Sequence, residues 1–254
     1  MGEKNKNETV RNTVSNEAKL AKLKKVLPVL LLAPYTKILF LAGSVAAGLA
    51  RPDSDIDLIV VAQNNRVWLN KFFLEILTRI FKIKRTKNNN KNKICFNIFL
   101  GSIQPLLPHR DIVGAGCYKN LKPVWGTPEE IKKFWGTNSW ISNFCEYEPS
   151  QKKIFSEPKK INLAPKKLLE FFLTFTGLSF ILEKIFYKTQ VSYLKNKLNQ
   201  SVSNQDAVDY DFFVAPNLVA YHFPVSNYAR IKRLVEAAVE NRPKNPDQKE
   251  LTSS

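Results

Sequence analysis

The chain has 254 residues, 44% of them hydrophobic, enough for one large domain or two modest ones with a proper core. Its formal charge of +17 and pI near 9.7 either draw a polyanionic partner, nucleic acid or nucleotide, or reflect solubilising lysine. Three scattered cysteines (Cys95, Cys117 and Cys145), no Cys-x-x-Cys pair and only two histidines argue against a disulfide framework or a structural zinc site. That usage fits a reduced, cytoplasmic compartment. Residues 1–19 are polar and do not read as a signal peptide.

Residues 1–15 read as disordered. A helix is expected from Ser15, with Leu20, Leu23, Val26 and Leu27 at helical spacing and Pro28 as a kink. Lys37–Ala42 and Asp55–Ala62 read as strands separated by a Gly-Ser turn. Asn65–Phe81 has the pattern of an amphipathic helix, and Lys93–Leu100 reads as a third strand after a basic, Asn-rich connection. Beyond residue 105 the expectation is mainly helical. Asp111 caps a helix to about Asn120, KPVWGTP is a loop, and Thr127 caps a helix from Pro128 to about Trp135. Residues 146–162 lack periodicity. Ala164–Leu198 reads as one or two helices, and Gln205–Phe213 and Asn227–Glu240 as two more. The tail from Arg242 reads as frayed. The apolar run Phe171–Leu182 is shorter than the ~20 residues a transmembrane helix needs. It is expected to be a buried helix, with an interfacial helix as the alternative. Domains are expected at 1–105 (α/β) and 106–254 (helical, frayed over 242–254).

Asp55 and Asp57 alternate with Ile56 and Leu58. On a strand, alternate residues share a face, so both carboxylates point one way and the aliphatics enter a core. Two carboxylates on one rigid face suit a hard divalent cation such as Mg²⁺. The Gly43-Ser44 turn offers backbone N–H groups and a hydroxyl to a phosphate. His222 and Cys95 read as structural, and Trp125, Trp135 and Trp140 as packing aromatics.

LFLAGS, the Gly48 turn and SDIDLIVV together resemble the signature of the nucleotidyltransferase superfamily related to DNA polymerase β, over residues 37–100. The resemblance implies an α+β fold, a small mixed β-sheet core with a mainly helical C-terminal part. It implies metal-dependent transfer of a nucleoside monophosphate from an NTP to a hydroxyl on a small molecule, protein or RNA. Asp55 and Asp57 would hold Mg²⁺ or Mn²⁺, with two ions expected. Gly43 and Ser44 would face the phosphates. The sequence departs from the family pattern at Asn97, where active relatives carry a third carboxylate. Asn97 is a neutral ligand and cannot act as a general base. Three readings follow: two carboxylates suffice with Asn97 positioning, Asp111 or Glu75 substitutes, or the chain binds nucleotide without transferring it. If the strand is regular, Asn97 shares its face with Cys95 and Phe99, opposite Phe96 and Ile98. The turn also lacks the Arg that many relatives place there, and Arg51 is expected to supply the positive charge at the nucleotide instead.

Overall fold

The computed structural model describes residues 2–86, 89–155, 162–203 and 210–224. Six strands form one mixed sheet in the order β4-β1-β2-β3-β6-β5. They are β1 (Thr36–Leu41), β2 (Ile56–Ala62), β3 (Ile94–Gly101), β4 (Lys122–Trp125), β5 (Tyr210–Ala215) and β6 (Leu218–Pro224). β1 and β2 are antiparallel, and β2 and β3 are parallel. That parallel pair requires a crossover, which the helix α3 (Val67–Ile80) supplies. The fold is α+β, as the sequence indicates.

Helices cover both faces. On one lie α1 (Gly2–Leu30), α3 and α7 (Leu178–Ser203), packed on Leu39, Leu41, Leu58 and Val60. On the other, α4 (Ile112–Tyr118) and α5 (Pro128–Thr137) pack on Ile38, Phe40, Ile59 and Val61. The alternation of β1 and β2 thus feeds two separate cores, which is why their sequences are apolar at nearly every position. Phe40 anchors the second core, its ring 4.2 Å from that of Phe134.

Several elements differ from the sequence reading. α1 begins at Gly2 rather than Ser15; no Gly or Pro interrupts the Glu- and Lys-rich run before Pro28. KPVWGTP is not all loop, because Lys122–Trp125 pairs with β1 as an edge strand. An edge tolerates Pro123, which has no N–H to donate. Of the expected Gln205–Phe213 helix, residues 205–209 lie outside the described residues, and Tyr210–Phe213 belong to a strand of a β-hairpin instead. β5 and β6 pair around a Pro216-Asn217 turn, and β6 closes the exposed edge of β3. The sheet therefore takes three of its six strands from beyond residue 105. The Asn227–Glu240 helix and the tail from Arg242 lie outside the described residues.

The run Phe171–Leu182 is not a buried helix. It is broken by Gly177, at φ +72°, between α6 (Ala164–Phe175) and α7. Phe171, Phe175 and Phe180 are more than half exposed.

α7 holds α3 in place through an acid. The α3 N-cap residue, Arg66, provides no side-chain cap bond. The buried Glu183 of α7 accepts from the N–H groups of Trp68 (3.1 Å) and Leu69 (2.8 Å) instead. These are first-turn donors that the helix itself cannot satisfy. Glu183→Ala is expected to cost about 1–3 kcal/mol, because it orphans both buried donors. Glu183→Gln, which keeps one acceptor oxygen, should cost less. Urea denaturation of the three proteins measures the order; equal stability of all three would refute the capping role.

Candidate functional site

The site forms where β1 ends and β2 begins. Ala42 N–H donates to the Asp57 carbonyl at 2.9 Å, continuing the β1–β2 pairing beyond Leu41. The chain then turns through Gly43, at φ +64°, into the single-turn helix α2 (Gly43–Ala46). A Cβ on Gly43 would lie 2.2 Å from Asp57 Oδ2, so both the backbone angle and the space require glycine. Ser44 is half-buried in this turn.

Asp55 and Asp57 flank Ile56, which is fully buried, as is Leu58. The carboxylates face together, and with Cys95 they offer three ligand atoms within 4.8 Å of one another. Cys95 lies opposite Asp57 in the β2–β3 register. Asn97 does not. The register slips between Leu58↔Phe96 and Ile59↔Ile98, so Asn97 is the extra residue of a β-bulge. The bulge aims the Asn97 amide at the acid: its Nδ2 donates to Asp57 Oδ1 at 2.9 Å. It also ends the regular alternation expected for this strand. Ile98 joins the core beside Ile59 and Val61, whereas Phe99 packs with Phe96 on the opposite face.

Arg85, in the basic, Asn-rich connection, lies at the site although the sequence did not single it out. Its Nη1 lies 2.8 Å from Asp55 Oδ2, an ion pair without the alignment of a hydrogen bond. The segment carrying it folds back on the sheet, with Ile83 buried and Lys84 bridged to Ile94. Ile83, an apolar residue between Lys82 and Lys84, was the available signal. Lys19 on α1 is a second such residue. It is 1% exposed, and its ammonium donates to Asn92 Oδ1 (2.8 Å) and to the Pro52 carbonyl (3.3 Å). One buried cation thus ties together the loops on either side of the carboxylates.

Other expected residues lie elsewhere. Arg51 is exposed and pairs with Asp53 at 3.8 Å, with no contact to Asp55 or Asp57 among its described bonds. Asp111 caps α4 through Gly114 N–H, and Glu75 pairs with Lys71, Lys84 and Arg79. Neither replaces a third carboxylate.

Burial pushes the Asp57 carboxyl up to about 6; the Asp55 charge adds to this, while Asn97 and Arg85 oppose it. Burial and the two aspartates push the Cys95 thiol up to about 12. A protonated thiol is a poor ligand, so the carboxylates are the better donors for a hard cation. They fit one: Asp55 Oδ2 is buried without a hydrogen-bond partner, and Asp57 is costly to ionise alone. A divalent cation offsets both.

Residues 20–108 match the nucleotidyltransferase domain family. β1, the α2 turn, β2, α3 and β3 all fall within that match. No curated protein matches the chain. Among the described residues no helix is long and apolar enough to cross a membrane.

The raised Asp57 pKa has a stability consequence. The unfolded carboxyl ionises near 3.8, the folded one near 6. The fold therefore favours the protonated acid, and this advantage is lost as pH rises through about 6. In chelator, Asp57→Asn is expected to be more stable than wild type at pH 8 by up to about 3 kcal/mol. The gap should close below about pH 4, where both forms are neutral. Denaturant unfolding across pH tests this, and a pH-independent gap would contradict it.

Proposed function

We propose that this protein is a metal-dependent nucleotidyltransferase that moves a nucleoside monophosphate from an NTP to an acceptor hydroxyl. The observation that carries this reading is the packing of Gly43 against Asp57, which joins the α2 turn directly to the carboxylate pair. Gly43 and Ser44 bind the triphosphate through first-turn N–H groups, which have no partners within the helix. Asp55 and Asp57 hold Mg²⁺ or Mn²⁺. When bound, the cation neutralises charge on the α-phosphate and on the leaving pyrophosphate. The acceptor hydroxyl gives up its proton to solvent, its oxygen bonds to the α-phosphorus, and the bond from that phosphorus to the departing pyrophosphate breaks. The protein's own contribution is positioning and electrostatics, with Asn97 fixing the orientation of Asp57. The acceptor is a small molecule, a protein or an RNA, and the charge of +17 suits a nucleic acid. A cytoplasmic location accords with the free thiols.

A second reading has its own support. Asn97 stands in the third acidic position, and Arg85 already pairs with Asp55. Both features suit a protein that binds nucleotide or nucleic acid without transfer.

Incubation with labelled NTPs, Mg²⁺ or Mn²⁺ and a pooled acceptor extract separates the two. Label transfer is expected, and Asp55→Ala or Asp57→Ala should lower it about a hundredfold or more, the scale of losing one electrostatic stabiliser. Cys95→Ser should retain it. Nucleotide binding without transfer under either metal would favour the second reading, and a gain of transfer in Asn97→Asp would mark a decayed site.

A further inference from the structure

The α6–α7 hairpin carries an apolar surface that the nucleotide site does not use. On α6, Leu168, Phe171, Phe172 and Phe175 follow one another at i, i+3, i+4 and i+7, one stripe of a helix, and they are 55–80% exposed. The opposite side of α6 is fully engaged. Leu173 packs with Tyr35 and Leu69, and Lys166 donates to the Thr36 carbonyl at 3.1 Å. α6 is therefore apolar on two sides, one facing the protein and one facing out. Across Gly177 the outward surface continues through Leu178, Ile181 and Ile185 of α7, all exposed.

The exposed charges of the hairpin itself, over residues 164–196, are of one sign. Residues 164–196 contain two acids, and both turn inward. Glu183 caps α3, while Glu170 accepts from Tyr35 N–H and lies 3.7 Å from Lys166. The exposed charged side chains of the same stretch are Lys167, Lys184, Lys188 and Lys195.

We propose that the outward face of the α6–α7 hairpin docks on an anionic lipid membrane, lying in the interface rather than crossing it. Large apolar side chains enter the boundary between headgroups and acyl chains, and flanking lysines meet the anionic headgroups. Spanning is excluded for α6: its 12 residues reach only about 18 Å, against a hydrocarbon core of about 30 Å. Its inner face is also already occupied by protein. A surface for a second copy of the chain would bring these lysines together, and an anionic bilayer pairs them instead.

Co-sedimentation of the full chain with phosphatidylglycerol and phosphatidylcholine vesicles at physiological ionic strength tests this. Binding to phosphatidylglycerol is expected, and much less to phosphatidylcholine. The triple variant Leu168→Ser, Phe171→Ser, Phe175→Ser keeps the net charge and should bind phosphatidylglycerol vesicles about tenfold less or weaker still. Because these side chains are exposed, its thermal transition should stay near that of wild type. The variant Lys167→Glu, Lys184→Glu, Lys188→Glu leaves the apolar face intact and should also lose binding. Unchanged vesicle binding by the serine variant would overturn the proposal, showing attraction by diffuse charge alone. So would a wild-type protein that ignores vesicles but forms a dimer that the serine variant dissolves.

Discussion

The site depends on one close approach, that of the Asp57 carboxylate to the backbone of Gly43. Antiparallel pairing of β1 and β2 brings them together, and the Ala42–Asp57 hydrogen bond carries that pairing one residue past the strand. Any side chain at position 43 would occupy the space of the carboxylate. The turn and the acid therefore cannot be adjusted separately. This geometry costs stability, because it holds Asp57 away from water beside a second acid. A fold selected for stability alone would not place two carboxylates there; the proposed role, holding a cation against a phosphate, supplies a reason to.

Around this contact the protein places groups that moderate the charge without cancelling it. Asn97 donates one neutral hydrogen bond to Asp57, and Arg85 sets a cation against Asp55. The bulge at Asn97 is what makes the first of these reach. Lys19 acts at one remove: its ammonium bonds to Pro52 and Asn92, on the loops bordering the carboxylates, and so links α1 to the geometry of the site. A buried lysine accepts this role at a cost, since burial lowers its pKa.

The parts of this arrangement that are local in sequence were legible there. Alternation placed Ile56 and Leu58 in the core and Asp55 and Asp57 together, and the Gly-Ser turn followed from its position after an apolar strand. The parts that depend on distant pairing were not. Nothing around Cys95 announces the bulge, because the register slip belongs to the β2–β3 pair and not to either strand alone. Arg85 sits in a lysine- and asparagine-rich run whose composition reads as solvent-facing, yet Ile83 anchors that run to the sheet. The strands β4 and β6 pair on edges that β1 and β3 leave open, and β5 pairs on β6, so their local patterns were weak guides. The apolar run at residues 171–182 misled for a different reason: hydrophobicity measures what a segment can bury, not whether the rest of the chain buries it.

The hairpin that contains this run shows how one set of residues can serve attachment and surface character together. Glu170 and Glu183 secure α6 and α7 by accepting backbone N–H groups from Tyr35, Trp68 and Leu69. Each is a carboxylate withdrawn from the surface. Had the same contacts been made by Asn or Gln, the hairpin would still dock, but acids elsewhere on it would then be free to balance its lysines. With both acids committed inward, the exposed charge of residues 164–196 is wholly cationic, and it borders an apolar face. The net charge of +17 alone would not separate this surface from any other. Its distinction is the combination of an outward apolar stripe, a rim of lysines and acids consumed in holding the element down, and that combination follows from the packing of α6 and α7 on β1 and α3.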